Sequence, residues 1–214
     1  MENADGPSGI AVDDPRSKDI LGLGWSSAAQ FARMLEDEGE LRGLIGPREL
    51  PRLWTRHVLN SAAVAGFLPA RGAVADVGTG AGLPGIVLAT MRADLEFHLI
   101  EPMQRRVDWL EEVCTELDLD NVTVHRARGE ELHGRLKTEA VTARAVAALR
   151  KLVPMCVPLV RGGGALLAQK GKRAQDEVAA AGKQLRKAGV ISVEVHEVDV
   201  VGDGEITRVV EARK

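Results

Sequence analysis

Residues 73–85 read Ala73-Val74-Ala75-Asp76-Val77-Gly78-Thr79-Gly80-Ala81-Gly82-Leu83-Pro84-Gly85. The apolar run 73–77 predicts a buried parallel strand. The glycines that follow permit positive φ and close approach of backbone to a ligand. A helix is expected from Leu83 to about Met91, opening at Pro84, so its unpaired N–H groups face the turn. Strand, glycine turn and helix together form the entry to a nucleotide-cofactor site. Two frames fit the spacing. Gly80 to Gly85 matches the dinucleotide pattern GxGxxG, a weak signal alone. Asp76 to Gly82 reads as an acidic strand end followed by GxGxG. An acidic Asp76 would repel a pyrophosphate but could hold an ammonium group through charge-assisted hydrogen bonds, which favours the second frame.

Strands are expected at 73–77, 95–100, 122–125, 139–143, 164–169, 191–199 and 205–211, and helices at 83–91, 103–118, 148–157 and 172–188. This alternation predicts an α/β fold with a mostly parallel sheet covered on both faces. The link Val201-Gly202-Asp203-Gly204 is too short for a parallel crossover, so the last strand should run antiparallel, in a hairpin. Ahead of the sheet, Ser26–Glu38 and Leu53–Ala65 carry helical periodicity. The domain reading is therefore a flexible tail over 1–22, rich in Gly, Pro, Asp and Ser, then helices over 23–70 that pack on a core domain of residues 71–214.

The chain has 214 residues and a net charge of −3. Its two cysteines, Cys114 and Cys156, show no metal-ligand spacing, so neither a disulfide framework nor a metal site is expected. The first 22 residues do not read as a signal peptide, and the apolar region 73–91 is too broken for a membrane span. The expected location is cytoplasmic. Charge is uneven: residues 144–187 hold ten Lys and Arg against only Asp176 and Glu177. That asymmetry fits either a face that meets a polyanion or a helix with a solvated basic side.

Glu101 ends the second strand where an acidic side chain can accept both ribose hydroxyls of an adenosine cofactor. After the third strand, Gly129 and Glu130 could offer backbone groups to an adenine edge. The segments DVGTGAGLPG, LIEPMQRRVDWLEEV, NVTVHRARGEEL, TARAVAAL and LLAQKGK, spread between His57 and Lys172, resemble the glucose-inhibited division protein B family. Its members are bacterial small-subunit rRNA guanine-N7 methyltransferases. The resemblance implies a Rossmann-like fold that binds S-adenosyl-L-methionine (SAM), a seven-stranded sheet with an antiparallel last strand, and 16S rRNA as partner. It implies cofactor contacts from Gly78, Leu83, Gly129, Glu130 and Arg144, which join Asp76, Gly80, Gly82 and Glu101 from the loop and strand-end pattern. His57, Arg128, Arg144 and Lys170 would line the RNA-facing cleft, with Arg144 and Lys170 positioning the base in the catalytic step. Asn60 stands where the family has Asp, residues 39–46 replace an asparagine-containing loop, and Arg208 is the nearest candidate for a basic residue of the last strand. Guanine N7 carries a lone pair and no proton, so no general base is needed. A small-molecule methyltransferase and a non-catalytic RNA-binding assembly factor are the alternatives.

Overall fold

The structure is a computed structural model that describes residues 10–214. Seven strands form one sheet in the order β3-β2-β1-β4-β5-β7-β6. They are β1 (Ala73–Val77), β2 (Glu96–Ile100), β3 (Val122–His125), β4 (Thr138–Arg144), β5 (Val160–Lys170), β6 (Ser192–Asp199) and β7 (Ile206–Arg213). Pairings among β1 to β5 are parallel, whereas β7 runs antiparallel to both β5 and β6. The expected hairpin is present. Its second strand inserts between β5 and β6. Strand order reverses between β1 and β4, the switch point at whose carboxyl edge open α/β sheets bind ligands.

Residue parity along the strands assigns the two faces. Ala75, Val77, Val141, Ala143, Leu166, Ala168 and Val210 pack with Leu152, Val153, Ala181 and Leu185 of α5 (Leu149–Cys156) and α6 (Ala174–Lys187). The opposite face meets α3 (Gly85–Met91) and α4 (Gln104–Glu116) over β1 and β2. Over β4, β5 and β7 that second face has no crossover helix. Ala63 and Val64 cover it, packing with Ala140, Leu167 and Val209. The N-terminal segment is thus a layer of the core. Burying these side chains is worth roughly 1.5–3 kcal/mol for each large one.

Two expectations for the N-terminal region change. Residues 10–22, read as part of a flexible tail, are folded: α1 (Pro15–Leu21) starts with Asp14 as N-cap and Pro15 at its first position. Ile10 and Leu21 are buried, and the Ser17 hydroxyl accepts from Trp54 Nε1 at 3.0 Å. Apolar Ile10, Ile20 and Leu21 outweigh the polar composition around them. Residues 1–9 of that expectation lie outside the described residues. The α-helix expected over 53–65 is instead a π-helix over Leu53–Leu59 that tightens to a 3-10 helix over Ala62–Phe67. Its widened turn leaves carbonyls that side chains from the sheet edge occupy, the kind of insertion that drives a helix out of α geometry.

The turn Gly22–Gly24 lies between α1 and α2 (Trp25–Glu38) and seats the N-terminal layer on the end of α3. A Cβ on Gly24 would lie 2.5 Å from the Thr90 carbonyl oxygen and 2.8 Å from the Met91 nitrogen. Both atoms are backbone and cannot step aside. Gly24→Ala is therefore expected to cost about 1–3 kcal/mol, read as a lower midpoint in chemical denaturation. An unchanged midpoint would show that the N-terminal layer docks loosely.

Candidate active site

Two clefts open side by side at the carboxyl edge of the sheet. The first, of about 440 Å³, is lined by the ends of β1 and β2 and by the segments after β3 and β4. Gly78 forms part of its floor at φ +69°, where a Cβ would meet Val146 Cγ2 at 2.8 Å. The glycine turn docks on the end of β2, with Gly78 N–H donating to the Ile100 carbonyl at 2.9 Å. Glu101 is buried beside it. One of its oxygens accepts from Gly80 N–H at 3.1 Å, and the other accepts from Met103 N–H at 3.0 Å. A carboxylate has about four lone-pair sites, so two remain for hydroxyl donors in the cleft. Arg106 stands 3.5 Å from Glu101, and its Nε is buried with no partner among the described residues. A volume in the small-molecule range, an open glycine floor, a buried carboxylate with spare acceptor sites and an orphaned donor all fit an adenosyl cofactor.

The second cleft, of about 560 Å³, shares Ala145 with the first and is lined by residues of the π-helix and the ends of β4 and β5. Arg144 spans it. Its Nη1 donates to the His57 carbonyl at 3.1 Å, and its Nη2 donates to the Arg56 carbonyl at 3.3 Å and to His57 Nδ1 at 2.6 Å. Burial lowers the Arg144 pKa to about 10, with Asp76 opposing the shift, so the group stays charged at neutral pH. Because Arg144 only donates, His57 Nδ1 must accept, which places the imidazole proton on Nε2, 2.8 Å from a Glu49 oxygen. Burial and then the Arg144 charge hold His57 below its ordinary pKa, against the pull of Glu49.

Lys170, at the end of β5, donates to the Ala147 carbonyl at 2.6 Å and pairs with Glu177 at 2.9 Å. The same Glu177 oxygen accepts from Leu149 N–H at 2.7 Å. Burial would raise the Glu177 pKa, but Lys170 and the Leu149 amide more than offset it and leave it lowered. This pair holds the C-terminal end of the segment 145–148, which divides the two clefts, through the Ala147 carbonyl and the Leu149 amide. Ala145 holds φ +55°, a conformation that side-chain-bearing residues rarely adopt.

The family model for rRNA small subunit methyltransferase G matches residues 25–205. A relative of that name from Beutenbergia cavernae is 59% identical over 97% of this chain and 98% of its own length. Another from Clavibacter sepedonicus is 48% identical over 95% and 96%. The chain belongs to the rRNA small subunit methyltransferase G family. Among solved structures, M. jannaschii TYW2 in complex with AdoMet shares the fold with a TM-score of 0.59 at 20% identity, covering 75% of this chain and 76% of that one. A SAM-dependent O-methyltransferase from Thermotoga maritima gives 0.58 at 17% identity, covering 77% and 69%. These likenesses are of fold, and that fold is the expected Rossmann-like one.

Within this methyltransferase, Gly78, Glu101, Gly129 and Glu130 line the first cleft where a cofactor was expected, and His57, Arg144 and Lys170 line the second. Several expectations need correction. Asp76 does not reach the cofactor cleft. Its side chain shares the parity of Val74 and points toward α3, where it accepts from Gly85 N–H at 2.9 Å and Thr142 Oγ1 at 3.0 Å. Burial raises its pKa to about 6. Gly82 and Leu83 face the core: a Cβ on Gly82 would lie 2.7 Å from Ile86 Cγ1, and Leu83 packs against the Phe31 cluster. Gly80 acts through its N–H on Glu101. Arg144 is not in the first cleft, while Arg128 lines the first rather than the second. Asn60 does not orient His57; its side chain accepts from Thr207 and its carbonyl accepts from Gln169 at 2.8 Å. Arg208 turns to Glu197 at 2.6 Å, and Arg42, in the substituted loop, binds Glu112 at 2.7 Å.

Sequence reasoning missed Arg106, Glu49, Gln169 and Glu177. Arg106 follows Glu101 by five residues, a spacing that places it in the first turn of α4 facing the strand end. Glu49 and Glu177 come from distant segments and carry no local signal. Because the folded-state pKa of His57 is lowered, its bonds stabilise the protein fully above the unfolded value of about 6.5 and are lost as pH falls through the folded value. The stability difference between wild type and His57→Ala should therefore be larger at pH 7.5 than at pH 5. Equal differences at both pH values would mean that His57 does not titrate against Arg144.

Proposed function

We propose that this protein transfers a methyl group from SAM to N7 of a guanine in small-subunit 16S rRNA, acting in the cytoplasm. The observation that carries this reading is the pair of adjoining clefts, divided only by residues 145–148, in a chain of this family. The first cleft suits the cofactor. Glu101 would hold the ribose hydroxyls, Gly129 and Glu130 the adenine edge, and Gly78 the close backbone approach. SAM supplies an electrophilic methyl group.

The chain's own contribution is alignment and exclusion of water. Effective molarities of well-oriented reactants account for roughly 7–11 kcal/mol of a barrier. N7 brings its own lone pair, so none of His57, Glu49 or Glu177 is asked to remove a proton. His57 has its proton directed at Glu49 and its lone pair occupied by Arg144. It serves as part of the cleft wall. Arg144 and Lys170 work as positioning residues: Arg144 fixes the π-helix, and Lys170 with Glu177 fixes the dividing segment. Among the described residues, no helix is long and apolar enough to cross a membrane.

Labelled methyl transfer to purified small ribosomal subunits should yield 7-methylguanosine, recognised by strand cleavage at the modified base. Label on another base atom would overturn the N7 assignment, and label on small molecules alone would favour the metabolite enzyme. Absence of SAM binding in calorimetry would favour the assembly factor. A second expectation concerns the dividing segment. Lys170→Ala and Glu177→Ala each remove one side of the same clamp, so each should lower kcat by about tenfold, equivalent to 1.4 kcal/mol of alignment, with SAM affinity unchanged. The double variant should lose little more than either single one. Additive losses would show that the two residues act separately.

A further inference from the structure

We propose that the rim of the second cleft at the start of α5 and α6 is a phosphate-binding surface for the RNA strand that flanks the target guanine. The inference rests on the reading of small-subunit rRNA as substrate. A chain with a net charge of −3 must attract a polyanion through a local patch, because its average field is repulsive. The cations inside the cleft are already engaged. Arg144 donates to carbonyls and His57, and Lys170 pairs with Glu177. Phosphate contact therefore falls to cations outside.

Lys172 and Arg173 come directly after Lys170 and Gly171, both of which line the second cleft. Arg150 and Lys151 lie in the first turn of α5, next to Leu149. The Leu149 amide donates to Glu177 in the first turn of α6 at 2.7 Å, so the two helix starts are tied together. All four basic side chains are exposed, and among the described residues none of them forms an ion pair; the pair in this region is Lys170–Glu177. Among the described residues, Asp176 is the one rim carboxylate without an ion pair, against four cations without one. Basic charge also occurs at the other end of α6, where Arg186 and Lys187 are exposed in the last turn. That end leads into β6 and lies at the opposite edge of the sheet. Fourteen helical residues span about 21 Å, more than twice the Debye length of roughly 8 Å at physiological salt. The two ends thus act as separate fields, and only one adjoins the cleft.

The experiment compares binding of small ribosomal subunits to wild type, Lys172→Glu/Arg173→Glu, Arg150→Glu/Lys151→Glu and Arg186→Glu/Lys187→Glu over a range of salt. At physiological salt each rim pair should weaken binding at least tenfold, and it should flatten the log–log salt dependence by about 1.4–1.8, the value for two lost phosphate contacts. At the same salt the distal pair should stay within about twofold. Isothermal titration with SAM should give the wild-type affinity for all three. Lys172→Gln/Arg173→Gln provides the same test without charge reversal if a rim variant folds poorly. Equal weakening by rim and distal pairs, or none by the rim pairs, would overturn the proposal while leaving methylation in place. A wild-type protein that neither binds nor methylates small subunits would overturn the underlying reading as well.

Discussion

The guanidinium of Arg144 joins two parts of the chain that would otherwise have no reason to stay in register. It projects from the end of β4 and takes acceptors from Arg56, His57 and Ser61, all in the N-terminal layer. Residues 53–59 wind as a π-helix, and Arg144 at the Arg56 and His57 carbonyls, with Gln169 at the Asn60 carbonyl just beyond it, braces that helix against the sheet edge. Each side supports the other. Loss of Arg144 would take a charged donor from the Arg56 carbonyl, at a cost of about 1–3 kcal/mol, while the His57 carbonyl would keep the Ser61 hydroxyl. The second cleft exists because this contact keeps its far wall at a fixed distance from β5.

The first cleft is built by carboxylates turned inward. Asp76 holds the start of α3 through Gly85 N–H and ties β1 to β4 through Thr142, while Glu101 holds the glycine turn through Gly80 N–H. Both acids therefore fix backbone before any ligand arrives. Gly85 cannot carry a side chain for this reason: a Cβ there would lie 2.7 Å from the Asp76 oxygen. The expectation that Asp76 grips an ammonium group failed on strand parity. Once Ala75 and Val77 face α5 and α6, Asp76 must face the other way.

The sheet was legible because its strands are short apolar runs separated by helical periodicity, and β1 and β3 begin and end at the residues expected. Cleft residues contributed by strand ends and the segments just after them, Gly78, Glu101, Gly129, Arg144 and Lys170, were legible for the same reason. What could not be read was pairing across distance. Glu49 meets His57 only after the π-helix forms, and Glu177 meets Lys170 only after α6 folds back along the sheet. A π-helix has no periodic signature of its own over seven residues, so Leu53–Leu59 presented itself as an ordinary amphipathic helix. The structured residues 10–22 were hidden by composition, although Asp14 and Pro15 are a helix start in miniature.

Methylation at N7 converts a neutral purine into a cation, and an unmatched positive charge about 4 Å away would oppose that change by about 4 kcal/mol at an effective dielectric of 20. The arrangement of charge in the second cleft answers this. Lys170 is matched by Glu177, the Arg144 guanidinium is surrounded by carbonyl oxygens, and Glu49 places a carboxylate opposite both His57 and, at 3.8 Å, Arg56. Cations inside the cleft thus give direction without a strong net field. The exposed cations of the rim, which form no ion pair among the described residues, stand outside, where attraction to a phosphate chain is useful and the reacting base is screened from them. One chain thereby separates two demands that conflict at a single point, holding a polyanion and letting a base become positive.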